Sequence, residues 1–348
     1  MGFLTDRELL VSYKGEQSES KKMPGGGPQG TVLGMFLFLV LINDAGFKEE
    51  DRNLGERLTR AAHARKTIGN IHLKYVDDLT IAEALKLKNV LVVENVPGRE
   101  RPLEYHKRTE QKLNPEDSKV QAQLDELTKY AGDNEMKINQ EKSKVMLFNT
   151  SYKNDFKPEL TIDGVLLEVV DKMKLLGVII TSDLKWKENT DFITKKAYSR
   201  LWLIKRLKQM GASTRALLDT YIKHVRSVVE FAAVVWNSSL TQECIKAIER
   251  VQKSAFAVML GSRYQSYDEA CQILAMEKLS KRRETLSLKF ATKSSLHPIH
   301  KHWFVENQTE SLTRSIPSKY KPVQGRTQRL LNSAIPYLTE LLNNNNIT

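Results

Sequence analysis

Two short apolar segments, Ile71-His-Leu-Lys-Tyr-Val76 and Leu79-Thr-Ile-Ala82, are separated only by Asp77-Asp78. Ile71, Leu73 and Tyr75 recur at period two, which puts them on one face of a strand. The pattern predicts a tight β-hairpin with the two aspartates at its tip. Two-residue hairpin turns normally take Asn-Gly or Asp-Gly, because the backbone there needs positive φ. Adjacent aspartates have poor turn chemistry and set two like charges at the end of an apolar hairpin. Such a breach of local rules is expected where function demands it. A divalent cation would relieve the repulsion and keep both groups ionised. Mg2+ suits the pair, being a hard ion that takes carboxylate oxygens together with substrate phosphates. Taken alone, a Tyr-x-Asp-Asp segment reads more simply as a solvent-exposed acidic turn; the segments before and after it tip the balance.

Upstream, Gly25-Gly-Gly-Pro-Gln-Gly30 precedes a helix expected from Thr31 to about Asn43, apolar all round and therefore buried. A charged amphipathic stretch follows over Lys48 to Lys66. The charge-rich segment 86–119, with Pro97, Gly98, Pro102 and Pro115, reads as an insertion or connection rather than core. A helix is expected near Val120 to Gly132, a strand at Ser143 to Asn149, and a hairpin within 160–185. Beyond Trp186 the chain reads as helical. Ile193, Ala197, Leu201, Ile204 and Leu207 share one face, while Lys195, Lys205 and Arg206 point away. Arg200 falls on the apolar side, and the periodicity gives no reason for it. From Ser311 the tail is polar and ends in an Asn343–Asn346 run, so loose order is expected there.

The formal net charge of +12 on 348 residues favours a polyanionic partner. A membrane is the weaker choice, since the longest apolar run, Val32 to Ile42, falls short of the roughly 20 residues a span requires. Cys244 and Cys271 stand far apart, which excludes a disulfide scaffold and fits a reducing compartment. His297, His300 and His302 lie in a polar stretch with no thiol nearby, and a solvated loop is preferred to a metal site. The start, Met1-Gly-Phe-Leu-Thr-Asp-Arg7, lacks the apolar centre of a signal peptide. A cytoplasmic or nuclear location is expected.

In order, these segments resemble the motifs of reverse transcriptases, and specifically those of LINE-like non-LTR retrotransposons. Gly26-Gly-Pro-Gln-Gly-Thr-Val-Leu-Gly34, running to Phe38 and Ile42-Asn-Asp44, resembles the family's glycine-proline-glutamine loop and helix. Tyr75-Val-Asp-Asp78 resembles its catalytic hairpin. Met136-Lys-Ile-Asn-Gln-Glu-Lys-Ser-Lys144 with Met146 is similar to its asparagine-to-lysine segment. Leu176-Gly-Val178, with Asp183 and Trp186, resembles the hairpin that grips the primer end. Ile248-Glu-Arg-Val-Gln252 and Leu279-Ser-Lys-Arg-Arg283 resemble the helical region that follows. The likeness runs from about Phe3 to about Lys301. Any one motif is weak evidence: the glycines alone are a flexible turn, Lys142 and Lys144 surface charges, and Leu176-Gly177 a strand bend. Their order is what is specific.

The resemblance implies an RNA-directed DNA polymerase that acts on an RNA template, a DNA primer and dNTPs through two Mg2+ ions. It implies Asp77 and Asp78 as metal ligands, and Lys142 beside the leaving pyrophosphate. Gly27, Pro28, Gln29 and Gly30, with Tyr75, would line the nucleotide and template pocket, and Lys174, Leu176 and Gly177 would place the primer terminus. The implied fold is α+β: a partial palm over 1–185, a small antiparallel sheet flanked by helices, then a helical thumb and further helices over 186–310, and a polar tail over 311–348. The family's first catalytic aspartate, on a strand several dozen residues before the glycine loop, has no counterpart in this sequence; Asp6 is the single aspartate before Gly25. Two dications about 3.5–4 Å apart need shared anionic ligands. Polymerisation by this polypeptide alone is therefore not expected. The rival expectation is a non-catalytic nucleic-acid-binding protein that keeps the basic thumb; a group II intron maturase ranks lower.

Overall fold

The computed structural model describes residues 7–9, 12–13, 16–23, 71–75, 78–82, 88–94, 106–112, 118–148, 158–298, 300–307, 318–325 and 328–345, and all statements here concern those residues. The chain is mixed α and β. It divides into two compact units, one made of 1–143 and 159–167, the other of 144–158 and 168–348.

In the first unit, β1 (Arg7–Leu9) pairs antiparallel with β4 (Lys21–Met23), and between them in sequence β2 (Ser12–Tyr13) pairs with β3 (Glu16–Gln17). β5 (Ile71–Tyr75) and β6 (Asp78–Ala82) form the expected hairpin, with Ile71 opposite Ala82 and Tyr75 opposite Asp78. The segment 86–119 departs from expectation. β7 (Lys88–Glu94) and β8 (His106–Lys112) run antiparallel along their full length, from Lys88 opposite Lys112 to Glu94 opposite His106. Val90-Leu-Val-Val93 has strong strand propensity, and Pro97 and Pro102 fall between the two strands, not in them.

Helix α1 (Val120–Asp133) buries Leu124 and Ala131. It holds the hairpin of β10 (Thr161–Ile162) and β11 (Val165–Leu166) through the Gln121 side chain, which accepts from the Thr161 N–H at 2.8 Å and donates to its carbonyl at 3.0 Å. That hairpin turns at Asp163-Gly164, both at positive φ (50° and 76°), the chemistry a tight hairpin prefers. The strand expected over 143–149 shrinks to β9 (Lys144–Val145), which belongs to the second unit and pairs in parallel with β12 (Glu168–Val169). The single hairpin expected over 160–185 is likewise two hairpins, one in each unit. Among the described residues the strands form separate two-stranded ladders and not the one small antiparallel sheet expected of a palm.

The second unit continues with β13 (Lys172–Leu175) and β14 (Val178–Thr181), then α2 (Lys187–Gln209). α3 (Thr214–Thr220) widens into a π-helical stretch, Tyr221–Arg226, before closing at Ser227–Val229. α4 (Ala233–Trp236), α5 (Gln242–Leu260), α6 (Tyr267–Ile273) and α7 (Leu279–Leu296) follow. The apolar face expected of α2 is the buried one: Ile193, Ala197, Leu201 and Ile204 pack with Leu217, Tyr221, Val225, Trp236, Ile248 and Phe256. Arg200 has its explanation here, since its guanidinium donates to the His224 carbonyl at 2.7 Å. That carbonyl belongs to the π-helical stretch.

The polar tail is also corrected. α8 (Ala334–Asn345) buries Leu338, Leu341 and Leu342 and packs on α7. Leu338 and Leu342 join Ala291, Phe304 and Tyr320 in a second apolar cluster. Asn343 secures the segment before it by accepting from the Tyr320 N–H at 2.9 Å and donating to its carbonyl at 3.0 Å. The helix is amphipathic at i, i+3 and i+4 spacing, and the asparagines that follow conceal this in the composition. In the histidine stretch His297 is exposed, and His300 stacks 4.9 Å from His297 and 4.6 Å from Trp303, centroid to centroid. No helix among the described residues is long and apolar enough to cross a membrane.

Candidate nucleic-acid interface

Of the expected site residues, Lys174, Leu176 and Gly177 lie on the hairpin β13–β14, which packs on helix α2. Alternation along β13 sends Lys172 and Lys174 outward and Met173 and Leu175 inward, while Val178 and Ile180 of β14 meet the core. The register pairs Leu175 with Val178, so Leu176 and Gly177 make the entire turn. Both have positive φ, 46° and 87°, the geometry of a type I′ turn. Gly177 adopts it without steric cost. Leu176 does not, and its exposed side chain is held at the tip in a conformation that bulky residues avoid. A methyl group at Gly177 would stand 3.0 Å from the Phe231 ring, so the turn lies closely against that half-exposed aromatic.

Three contacts hold the hairpin to α2. The buried Asn189 side chain accepts the Ile179 N–H at 3.1 Å. Lys172 pairs with Glu188 at 3.1 Å, and the Lys174 ammonium lies 5.3 Å from the centre of the Phe192 ring. The approach to α2 is shaped by Asp183, whose carboxylate accepts from the Thr181 hydroxyl at 2.7 Å and the Lys185 N–H at 3.0 Å. The Thr181 hydroxyl is the main cause that holds its pKa below the usual range.

The outward face of α2 combines cations with aromatic rings. Tyr198 and Trp202, one turn apart, are both exposed, Trp202 to 67%. Lys195, Lys205 and Arg206 flank them at helical spacing, also exposed. Cations beside exposed rings are what a nucleic-acid strand needs, the charges for phosphate and the rings for stacking or groove contact. The periodicity of the sequence marked the cations as outward-facing; Trp202 was missed, although its place one turn from Tyr198 on the polar face was legible.

Of the other expected site residues, Tyr75 closes β5 and Asp78 opens β6 directly opposite it. The strand pairing thus takes in Asp78, expected at the tip, and leaves Val76 and Asp77 as the two connecting residues. Asp77 lies outside the described residues, as do Gly27, Pro28, Gln29 and Gly30. By residue type, Asp77-Asp78 is a pair of hard oxygen donors, which suits Mg2+. Among the described residues no three His, Cys, Asp or Glu side chains gather as a metal site. Lys142 is exposed in a turn of the first unit, where its N–H donates to Asn139 Oδ1 at 3.0 Å. Lys174, Leu176 and Gly177 are brought together on one hairpin of the second unit.

The Glu249-to-Gln252 segment, singled out in the sequence, does structural work. α3, α5 and α6 begin with hydroxyl caps of their own, from Ser213, Thr241 and Ser266. α7 begins after Lys278, which has no such acceptor. Glu249 of α5 supplies one, accepting from Ser280 N–H at 2.6 Å and Leu279 N–H at 3.3 Å, and from the Tyr267 hydroxyl. Gln252, fully buried, accepts from the Tyr221 hydroxyl and donates to Tyr267 Oη at 3.0 Å and the Glu277 carbonyl at 2.8 Å. Burial raises the pKa of both tyrosines well above the ordinary phenol value, for Tyr267 with a further push from Glu249. No family model, curated protein or solved structure matches the chain.

Proposed function

We propose that the chain is the palm-and-thumb part of a non-LTR retrotransposon reverse transcriptase, in which β13–β14 and α2 hold the end of an RNA–DNA primer–template. The observation that carries this reading is the strained Leu176-Gly177 turn, clamped to a helix whose outer face presents Trp202 among Lys195, Lys205 and Arg206. A turn held at a conformational cost fixes a point in space. The helix beside it offers phosphate and ring contacts along one line.

In this reading Asp77 and Asp78 hold Mg2+, which when bound supplies the charge that offsets the triphosphate and the attacking primer oxygen. Lys142 provides a cation for the departing pyrophosphate, and Gly27 to Gly30 with Tyr75 border the incoming dNTP. Primer extension on an RNA template with Mg2+ and all four dNTPs tests the reading, with Asp77→Ala alongside. Incorporation that disappears in the variant supports the polymerase and overturns the expectation that this polypeptide alone does not extend a primer. A second reading is a nucleic-acid-binding protein without chemistry. It is favoured by the second unit having a continuous apolar core of its own. Salt-sensitive binding of the primer–template with no incorporation fits a polymerase remnant; binding with no preference for the primer–template over other nucleic acids supports the second reading instead.

A further inference from the structure

A second basic site lies away from the hairpin, where α5, α6 and the start of α7 border an open cavity of about 410 Å³. Lys246, Arg250 and Lys253 line it from α5. Their i, i+4, i+7 spacing puts the three on one stripe of the helix. All three are exposed, and no carboxylate among the described residues pairs with any of them. Lys278 faces the same cavity and pairs with Asp268 at 2.6 Å. The Tyr267 ring forms the wall, with the Lys253 ammonium 5.0 Å from its centre.

Glu249 is the one carboxylate in the lining, and it is already committed. Its oxygens accept two backbone N–H groups of α7 and the Tyr267 hydroxyl, and its single negative charge against three cations leaves the lining net positive. A stripe of like charges beside an aromatic wall, with its single acid engaged elsewhere, lacks only an anion.

We infer that this cavity binds the phosphodiester backbone of a single nucleic-acid strand, through Lys246, Arg250 and Lys253. The stripe follows the helix axis, so it presents charge in succession, as a strand presents phosphates. A compact anion would gain less from it. The site is built from residues other than those of the hairpin interface, and it requires neither primer, dNTP nor metal.

The test is fluorescence-anisotropy titration of the full chain with a short labelled single-stranded RNA over a range of salt concentrations, without Mg2+ or dNTPs. The triple variant K246A/R250A/K253A is compared with K289A/K293A/K301A, which removes the same charge from exposed positions elsewhere on the same unit. Thermal melting confirms that both remain folded. Single-strand binding loses about 0.7 from the slope of log K against log salt for each phosphate contact removed. The first variant is therefore expected to flatten the slope by roughly 2, and the control to leave it nearly unchanged. An unaltered slope in the first variant overturns the inference, as does an equal loss in both. Saturable one-to-one binding of inorganic tripolyphosphate that needs the three cations and displaces the RNA would reassign the cavity to a small anion. Because no extension step is measured, failure of the polymerase reading leaves this result intact, and the reverse holds too.

Discussion

The Glu249 carboxylate accepts the Ser280 N–H at 2.6 Å, so the first turn of α7 is capped from a helix 31 positions earlier in the chain. Removing the carboxylate leaves two helix-terminal N–H groups and a largely buried phenol without their acceptor. Each such loss costs about 1–3 kcal/mol when the group stays buried, partly recovered here by water at the open cavity. Glu249→Ala is expected to lower unfolding stability by about 2–4 kcal/mol. Glu249→Gln, which keeps an acceptor, should lose less than half of that. Urea unfolding of both variants provides the comparison, and equal losses would mean that the negative charge matters more than the cap.

The buried phenols give the second unit an alkaline limit. Tyr221 and Tyr267 are held protonated in the fold, chiefly by burial. An unfolded tyrosine ionises near pH 10. A pKa raised on folding gives stability that is whole below the unfolded value and declines as pH rises above it. Tyr221, fully buried, should lower stability by about 1.4 kcal/mol per pH unit above pH 10, with a smaller part from the less enclosed Tyr267. Unfolding midpoints between pH 8 and about 11 should fall accordingly, and Tyr221→Phe should make that fall shallower.

At the hairpin tip, stability and binding should move in opposite directions. Leu176→Gly relieves a bulky residue at φ 46° and is expected to stabilise the chain by about 0.5–1 kcal/mol. Gly177→Ala places a methyl at φ 87° and against Phe231, for a loss of about 1–2 kcal/mol. If the tip places a primer end, Leu176→Gly should weaken primer–template binding despite the gain in stability. Denaturation curves and a binding titration on the same samples decide the matter.

Trp202 separates surface from core most cleanly. Its ring is 67% exposed, so Trp202→Ala should change stability by no more than about 0.5 kcal/mol. Loss of one stacking contact costs about 1–3 kcal/mol, which is roughly 5- to 150-fold in primer–template affinity. A variant that binds as tightly as the parent would remove α2 from the interface.

The tail predicts a core effect. Leu338 is buried against α7, and Leu338→Ala should cost about 2–5 kcal/mol. Thermal melting would show it, and a shift of under one kelvin would mean that α8 is dispensable.

Sequence patterns revealed what repeats at short range. The α2 face from Ile193 to Ile204 and the hairpin of Tyr75 and Asp78 were legible because periods of about 3.6 and 2 run through consecutive residues. Lys174, Leu176 and Gly177 were legible as a group because they are neighbours. Features that join distant positions had no such signal. Glu249 entered the sequence reading only as part of the Ile248–Gln252 segment, with nothing pointing to Ser280, and Arg200 fell on the apolar side of α2 with no sign of the His224 carbonyl it bonds. The hairpin of Lys88–Glu94 with His106–Lys112 and the helix Ala334–Asn345 were missed for a different reason. Their apolar residues were outweighed by prolines, charges and asparagines nearby, and composition was read where spacing should have been.

The π-helical stretch Tyr221–Arg226 makes one turn of the helix wider than its neighbours. Residues after it are thereby out of step with those before. This sets Tyr221 and Val225 on one side of the seam, and Val228 and Val229 on the other, all against the same core. Chain length and angular phase are decoupled there. The helix behaves like a shaft with a keyed joint: taking out a single residue would turn everything downstream by about 100°, swing the two valines toward solvent, and carry away the carbonyl that Arg200 grips.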